Sequence, residues 1–203
     1  MTTHAHAAGP PTTQSSSPIS RMNIGTLGMT IFIGSEIMLF ASFFTAYFIA
    51  RANAKVWPPI FHGTESFELP KLITGVNTAI LVFSSFTLWW GEKRLAEGDR
   101  KGLIRGLIVT IMLGATFLII QINEYAHLSF SPQDKIFGSV FFCLTGLHGA
   151  HVFVGLNALT FSLNRARVGE FRDAHAGPLQ AASIYWHFVD VVWVFLFVVV
   201  YLI

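Results

Sequence analysis

The sequence predicts an all-α integral membrane protein, a bundle of five transmembrane helices with the N-terminus inside and the C-terminus outside. Three observations predict it. Of 203 residues, 53% are hydrophobic and only 12% are charged, whereas soluble domains carry about 25% charged residues. The apolar residues gather into five segments, each near the length of about 20 residues that a helix needs to cross a bilayer. The polar stretches between those segments are too short to fold alone, and no internal repeat is visible.

Residues 1–22 precede the bundle, which takes up residues 23–203. They are rich in Thr, Ser, Ala and Pro, a composition that buries too little to order itself, so a flexible tail is expected. No basic start leads into an apolar core, so a cleaved signal peptide is not expected. His4 and His6 in this tail could bind metal only weakly, and no metal site is expected of them.

The first span is expected from Ile24 to Ala50, with Glu36 near its centre. Trp57-Pro58-Pro59 breaks helix after it. The second runs from Leu72 to Trp90, carries Asn77 and Thr78, and closes on Trp89 and Trp90 as an aromatic belt would. The third, Leu103 to His127, carries Gln121, Glu124 and Tyr125 near its outer end. The fourth, Ile136 to Leu163, places His148 and His151 three residues apart on one face. The fifth, Leu179 to Ile203, does the same with His187 and Asp190. Each segment must be helical, because a backbone in lipid has to satisfy its hydrogen bonds internally.

Charge sets the orientation. With the N-terminus inside, the inner segments hold Arg21, Lys93, Arg94, Arg100, Lys101, Arg105, Arg165, Arg167 and Arg172. The outer segments hold Arg51, Lys55, Lys71 and Lys135. Nine against four favours that topology. A formal charge of +2 is too small to imply nucleic acid.

The single cysteine, Cys143, excludes an internal disulfide and a thiolate cluster. It lies in an apolar run and is expected to be a buried thiol. Gly138, Gly146, Gly149 and Gly155 fall in the fourth span and Gly25 and Gly28 begin the first; all are expected to pack tightly within the bundle, and Gly146 and Gly149, which bracket His148, to permit close backbone approach.

The candidate site residues are the intramembrane ionisable groups Glu36, Glu124, His148, His151, His187 and Asp190. A charge at that depth is costly unless it faces protein. One role is packing glue, where an interhelical hydrogen bond contributes about 0.6 kcal/mol. The other is proton exchange, for which Glu36 is the strongest candidate because a central carboxylate needs a proton or a histidine beside it. The expected partner of Glu36 is His187, since spans one and five run in the same direction. Two histidines on separate helices could also hold a haem. There is no C-x-x-C-H, no copper loop, no nucleophile–base pattern and no phosphate-binding glycine loop.

Several blocks resemble the cytochrome c oxidase subunit III family of the haem-copper oxidases. They are Ser35-Glu36 with Phe40-Ala41-Ser42-Phe43-Phe44, Asn77-Thr78-Ala79-Ile80-Leu81, and Gln121 with Glu124-Tyr125. Two more are Phe137-Gly138-Ser139-Val140-Phe141-Phe142 leading to Thr145-Gly146-Leu147-His148-Gly149-Ala150-His151-Val152, and Tyr185-Trp186-His187-Phe188-Val189-Asp190-Val191-Val192-Trp193. The resemblance implies a subunit without haem or copper of its own, those groups lying in partner subunits. It implies a place beside catalytic subunit I and subunit II, where it assists proton uptake, binds phospholipid and protects the catalytic subunit during turnover. Glu36 matches the family's buried glutamate, and His187 with Asp190 match the pair of its last span.

Longer members have seven spans, and this chain resembles the five-span form of bacteria, which implies the bacterial plasma membrane. The lipid cleft of the longer form cannot form within one such chain, and a small extra subunit is expected to complete it. The blocks leave the electron donor open between cytochrome c and quinol, and nitric-oxide-reductase accessory proteins share the resemblance. Different classes also remain: an independent proton carrier using Glu36, His187 and Asp190, or a haem-binding anchor.

Overall fold

A computed structural model describes residues 24–55, 57, 71–128, 130–133, 135–169 and 177–202. The tail 1–22, Pro58, Pro59 and Arg172 lie outside them. Five helices result: α1 Ile24–Ala52, α2 Lys71–Ala96, α3 Arg100–His127, α4 Lys135–Val168 and α5 Gly177–Phe197, the last continued by a π-helical turn, Val198–Leu202. All five are long and apolar enough to span a membrane, and no strand occurs among the described residues. Each expected span is present. The helices overrun the apolar segments because hydropathy marks the bilayer, not the helix. Thus α4 has 34 residues, about 50 Å at 1.5 Å per residue, and its last turns carry Arg165 and Arg167 beyond the hydrocarbon.

Short connections make α2 and α3 antiparallel neighbours. The α2 end closes through Gly98, whose φ of 84° lies in the left-handed region that glycine adopts without strain. The Gly98 and Asp99 amides donate to Leu95 and Arg94 carbonyls at 2.9 and 2.8 Å. The Asp99 carboxylate then caps α3 by accepting from the Gly102 amide at 3.0 Å, a standard way to satisfy a free helix-start donor. Above this turn Gly91 meets Gly106 so closely that a Cβ on Gly106 would lie 2.8 Å from the Gly91 Cα. Arg100, at the start of α3, ties the far end of α4. Its Nε donates to the Ala166 carbonyl at 2.7 Å, and its guanidinium also bonds the Arg167 carbonyl. A cation at a helix C-terminus complements the free carbonyls there.

Helix α5 is the hub, packing on α1, α2 and α4. Its Trp186 and Trp193 are fully buried. The Trp186 ring occupies a socket that two glycines open: a Cβ on Gly114 of α3 would lie 2.5 Å from it, and one on Gly155 of α4 2.8 Å. Its Nε1 donates to Ser84 Oγ of α2 at 3.0 Å. One indole therefore joins four helices. By contrast, α1 packs chiefly on α4 and α5 among the described residues and turns Ile31, Ile37 and Met38 outward.

Three sequence expectations fail on packing. Among the described residues, nothing beyond the helix's own backbone lies within 4 Å of a Cβ placed at Gly25, Gly28 or Gly146, and Gly149 meets only a Leu118 methyl at 3.8 Å. The tight packing expected of span four is made at Gly138 and Gly155, and further close approaches occur at Gly91, Gly106 and Gly114. Cys143 is exposed, because it sits on the outer face of α4 while Phe141 and Leu144 take the inner one. Trp89 and Trp90 are exposed, with Lys93 and Arg94 over their rings at 5.8 and 5.2 Å. That arrangement suits a membrane interface.

Candidate functional site: the intramembrane polar clusters

The six candidate residues fall into three clusters. The first joins α1 to α4. Glu36 Oε2 lies 2.8 Å from His151 Nε2, both side chains being almost buried. The expected Glu36–His187 pair does not form. The α5 stripe that faces α1 is aromatic: Tyr185 meets Phe32, Phe188 meets Phe40, and Phe195 meets Phe44. His187 is rotated away from it toward α2.

The chemistry of the Glu36–His151 pair follows from its second bond. His151 Nδ1 lies 2.8 Å from the Leu147 carbonyl. A carbonyl only accepts, so Nδ1 carries a proton. One further proton then lies between Nε2 and Oε2. If it rests on the ring, the pair is an imidazolium with a carboxylate; if on Glu36, both are neutral. Either way the pair holds a proton and is neutral overall, which is how a carboxylate is tolerated at this depth. Phe40 lies at 5.1 Å from the His151 ring and Tyr185 stacks at 6.4 Å. The Tyr185 hydroxyl donates to the His151 carbonyl at 3.2 Å.

The second cluster joins α5 to α2. Ser85 Oγ donates to Asp190 Oδ2, and His187 Nδ1 lies 3.0 Å from the same Oγ. Because the hydroxyl proton goes to the carboxylate, the ring nitrogen must donate to the oxygen. Ser85 bridges two residues that the sequence suggests as a direct pair. Ser84 and Ser85 carry no polar signal beyond two hydroxyls in an apolar run, which is why the sequence does not reveal them. Beside this cluster lies an apolar groove of about 780 Å³ along α2 and α5, lined by Val82, Phe86, Trp89, Val191 and Val194 together with Asp190 and His187.

Ser85→Ala is expected to destabilise the bundle as much as Asp190→Leu, by about 1–3 kcal/mol. It leaves the His187 donor and the Asp190 acceptor unpaired together. Resistance of the purified protein to detergent-induced unfolding measures this. An effect of Ser85→Ala well below that of Asp190→Leu would remove the bridge from the account.

The third cluster lies near the end of the bundle where α2 begins and α3 and α5 finish. Glu124 Oε1 accepts from Thr74 Oγ1 at 3.0 Å and from the Tyr201 hydroxyl at 3.2 Å. The π turn at the end of α5 carries Tyr201 there. Deeper in, His148 is fully buried, with its ring 4.7 Å from Trp193 and edge-on to Phe117 at 5.9 Å. Trp193 itself donates to Thr78 Oγ1 at 3.0 Å. His148 and His151 share a side of α4 but serve different clusters. Glu92, half-buried beside Ser183, is a further polar group that the sequence pattern did not single out. Among the described residues no three His, Cys, Asp or Glu side chains converge as metal ligands do.

Similarity to known proteins fits this arrangement. Residues 15–203 match the family described as Cytochrome c oxidase subunit III. A Nocardia farcinica protein named "Probable cytochrome c oxidase subunit 3" is 41% identical over 205 residues, covering 99% of this chain and 98% of its own. The dugong "Cytochrome c oxidase subunit 3" is 41% identical over 180 residues, covering 86% of this chain and 67% of its own. That of the locust Locusta migratoria is 40% identical over 179 residues, with the same two coverages, 86% and 67%. With five membrane-spanning helices, polar clusters paired across them and a match along nearly its whole length, this multi-pass membrane protein belongs to the cytochrome c oxidase subunit III family.

Proposed function

We propose that the chain is a non-catalytic core subunit of a respiratory haem-copper oxidase that takes electrons from cytochrome c. It works in the plasma membrane of a bacterium, within aerobic electron transport. The observation that carries the reading is the end-to-end match to a bacterial relative of that name and of nearly equal length. The geometry supports it: Glu36 with His151, and His187 and Asp190 through Ser85, are bonded to one another. The haem and copper belong to partner subunits.

Its partners are catalytic subunit I and subunit II. A small extra subunit takes the place of the segments that the dugong and locust relatives carry beyond their match. The outward apolar side chains of α1 and α2, among them Ile37, Met38, Phe83 and Phe86, contact those partners and bound phospholipid. The Glu36–His151 pair supports proton uptake by holding one proton inside the membrane.

Purification through a tag on this chain in mild detergent tests the assignment. The expected result is a haem-copper reduced-minus-oxidised spectrum with larger subunits present, and a colourless chain once it is stripped from them. A colourless chain that purifies alone in mild detergent would overturn it. Within the complex, Glu36→Ala is expected to lower turnover severalfold, or shorten its lifetime, at alkaline pH, where protons in solution are scarce. Haem content should stay unchanged. Unaltered kinetics and lifetime would reduce Glu36 to a packing residue.

A further inference from the structure

Between α2, α3 and α4 lies a set of buried polar atoms that no other group among the described residues satisfies. They are Asn77 Oδ1, both amide atoms of Gln121, Glu124 Oε2, the Tyr125 hydroxyl and both ring nitrogens of His148. Asn77 and His148 are fully buried and Gln121 nearly so. These atoms form one neighbourhood. Asn77 Nδ2 donates to the Phe117 carbonyl at 3.2 Å, the Phe117 ring meets His148, and Gln121 follows Phe117 by one helical turn. Tyr125 approaches Gln121 and Thr145 without reaching hydrogen-bond geometry.

Orphaned polar atoms are costly in a bilayer interior, and native proteins satisfy nearly all of them. The chemistry of this set selects what can do so. It contains donors, on the Gln121 amide nitrogen, the Tyr125 hydroxyl and one nitrogen of His148. It also contains acceptors, on Asn77, Gln121, Glu124 and the other nitrogen of His148. A cation satisfies only the acceptors and an anion only the donors. Water satisfies both.

We propose that this interior binds internal water in a file from Glu124 to His148. A buried water makes about three hydrogen bonds, so the seven atoms call for about two or three molecules. The file begins where Glu124 meets Thr74 and Tyr201 at the end of the bundle. It descends past Gln121 and Tyr125 to His148, about 20 Å along α4 from Lys135 at 1.5 Å per residue. His151, which holds Glu36, stands one turn beyond. The cluster is therefore a hydrated interior: its waters carry hydrogen bonding from Glu124, buried near the end of the bundle, to His148. This assignment stands on the orphaned atoms and is independent of the oxidase reading.

The experiment is a density map, fine enough to show ordered water, of the purified protein with whatever subunits accompany it. Wild type and Gln121→Leu are compared. The expected result is discrete density at about 2.7–3.2 Å from the His148 ring nitrogens and the Gln121 amide, with loss of at least the Gln121-bound density in the variant. Empty space there, or a Gln121 amide bonded directly to His148 or Asn77, would overturn the proposal. Infrared spectra of the wild type in H2-18O provide a readout that does not depend on the variant's folding. Internal-water O–H bands that shift with the isotope support the file, and their absence refutes it.

Discussion

His151→Leu is expected to destabilise the subunit by about 3–5 kcal/mol, the usual cost of removing one partner from a buried ion pair. The substitution leaves Glu36 almost buried with no histidine to share its proton. The double variant Glu36→Leu with His151→Leu should recover most of the loss, because apolar groups of similar volume replace a buried pair at little cost. Unfolding in mixed micelles, read as a double-mutant cycle, measures the coupling. Strong non-additivity identifies the pair. Simple additivity, within about 0.3–0.5 kcal/mol, would show that the two side chains do not act together. The same cycle between Glu36 and His187 should be additive, since the aromatic stripe of α5 separates them.

The second large effect is expected at Trp186. Trp186→Ala should cost about 3–5 kcal/mol from lost packing and the cavity left behind. The indole fills the space that Gly114 and Gly155 leave open, and its Nε1 is a partner of Ser84. No neighbouring glycine can grow a side chain to refill the void. Trp186→Phe should retain most of the stability, because it keeps a ring in the socket and gives up only the hydrogen bond and the outer edge. Loss of the whole subunit from its complex on mild detergent washing would accompany the alanine variant. A cost below about 1 kcal/mol would show that α3 and α4 close on each other without the indole.

The two predictions differ in how far the sequence alone reaches. Trp186 stands in the block that resembles the family, yet nothing in that block says which glycines receive it. Gly114 and Gly155 lie on other helices, and only the reach of the Trp186 indole from α5 to both α3 and α4 brings the three together. The glycine pair that looks most promising in sequence, Gly146 and Gly149, brackets a buried histidine but turns away from any close backbone.

The pairing of the ionisable groups follows the same rule. Their depth is readable from sequence, because position along a span fixes depth at 1.5 Å per residue. Their direction is not, because a helix can rotate about its axis at no cost in backbone hydrogen bonds. The rotation is set by which side chains fill the space between helices. The aromatic stripe of Tyr185, Phe188 and Phe195 seats α1 on α5. That seating turns His187 and Asp190 toward Ser85 and leaves Glu36 to His151. Cys143 is exposed for the same reason, since an apolar run in lipid has two equally apolar faces and hydropathy cannot tell them apart.

By itself the sequence determined five membrane-crossing helices, the polar residues within them and the family to which the chain belongs. The bilayer makes the first two legible, since it demands long apolar helices and makes every intramembrane charge conspicuous. Tertiary structure alone decided the partners: Glu36 with His151, His187 and Asp190 through Ser85, and Trp186 in its glycine socket. Those depend on the rotation of each helix, which is settled by shape complementarity between residues far apart in the chain.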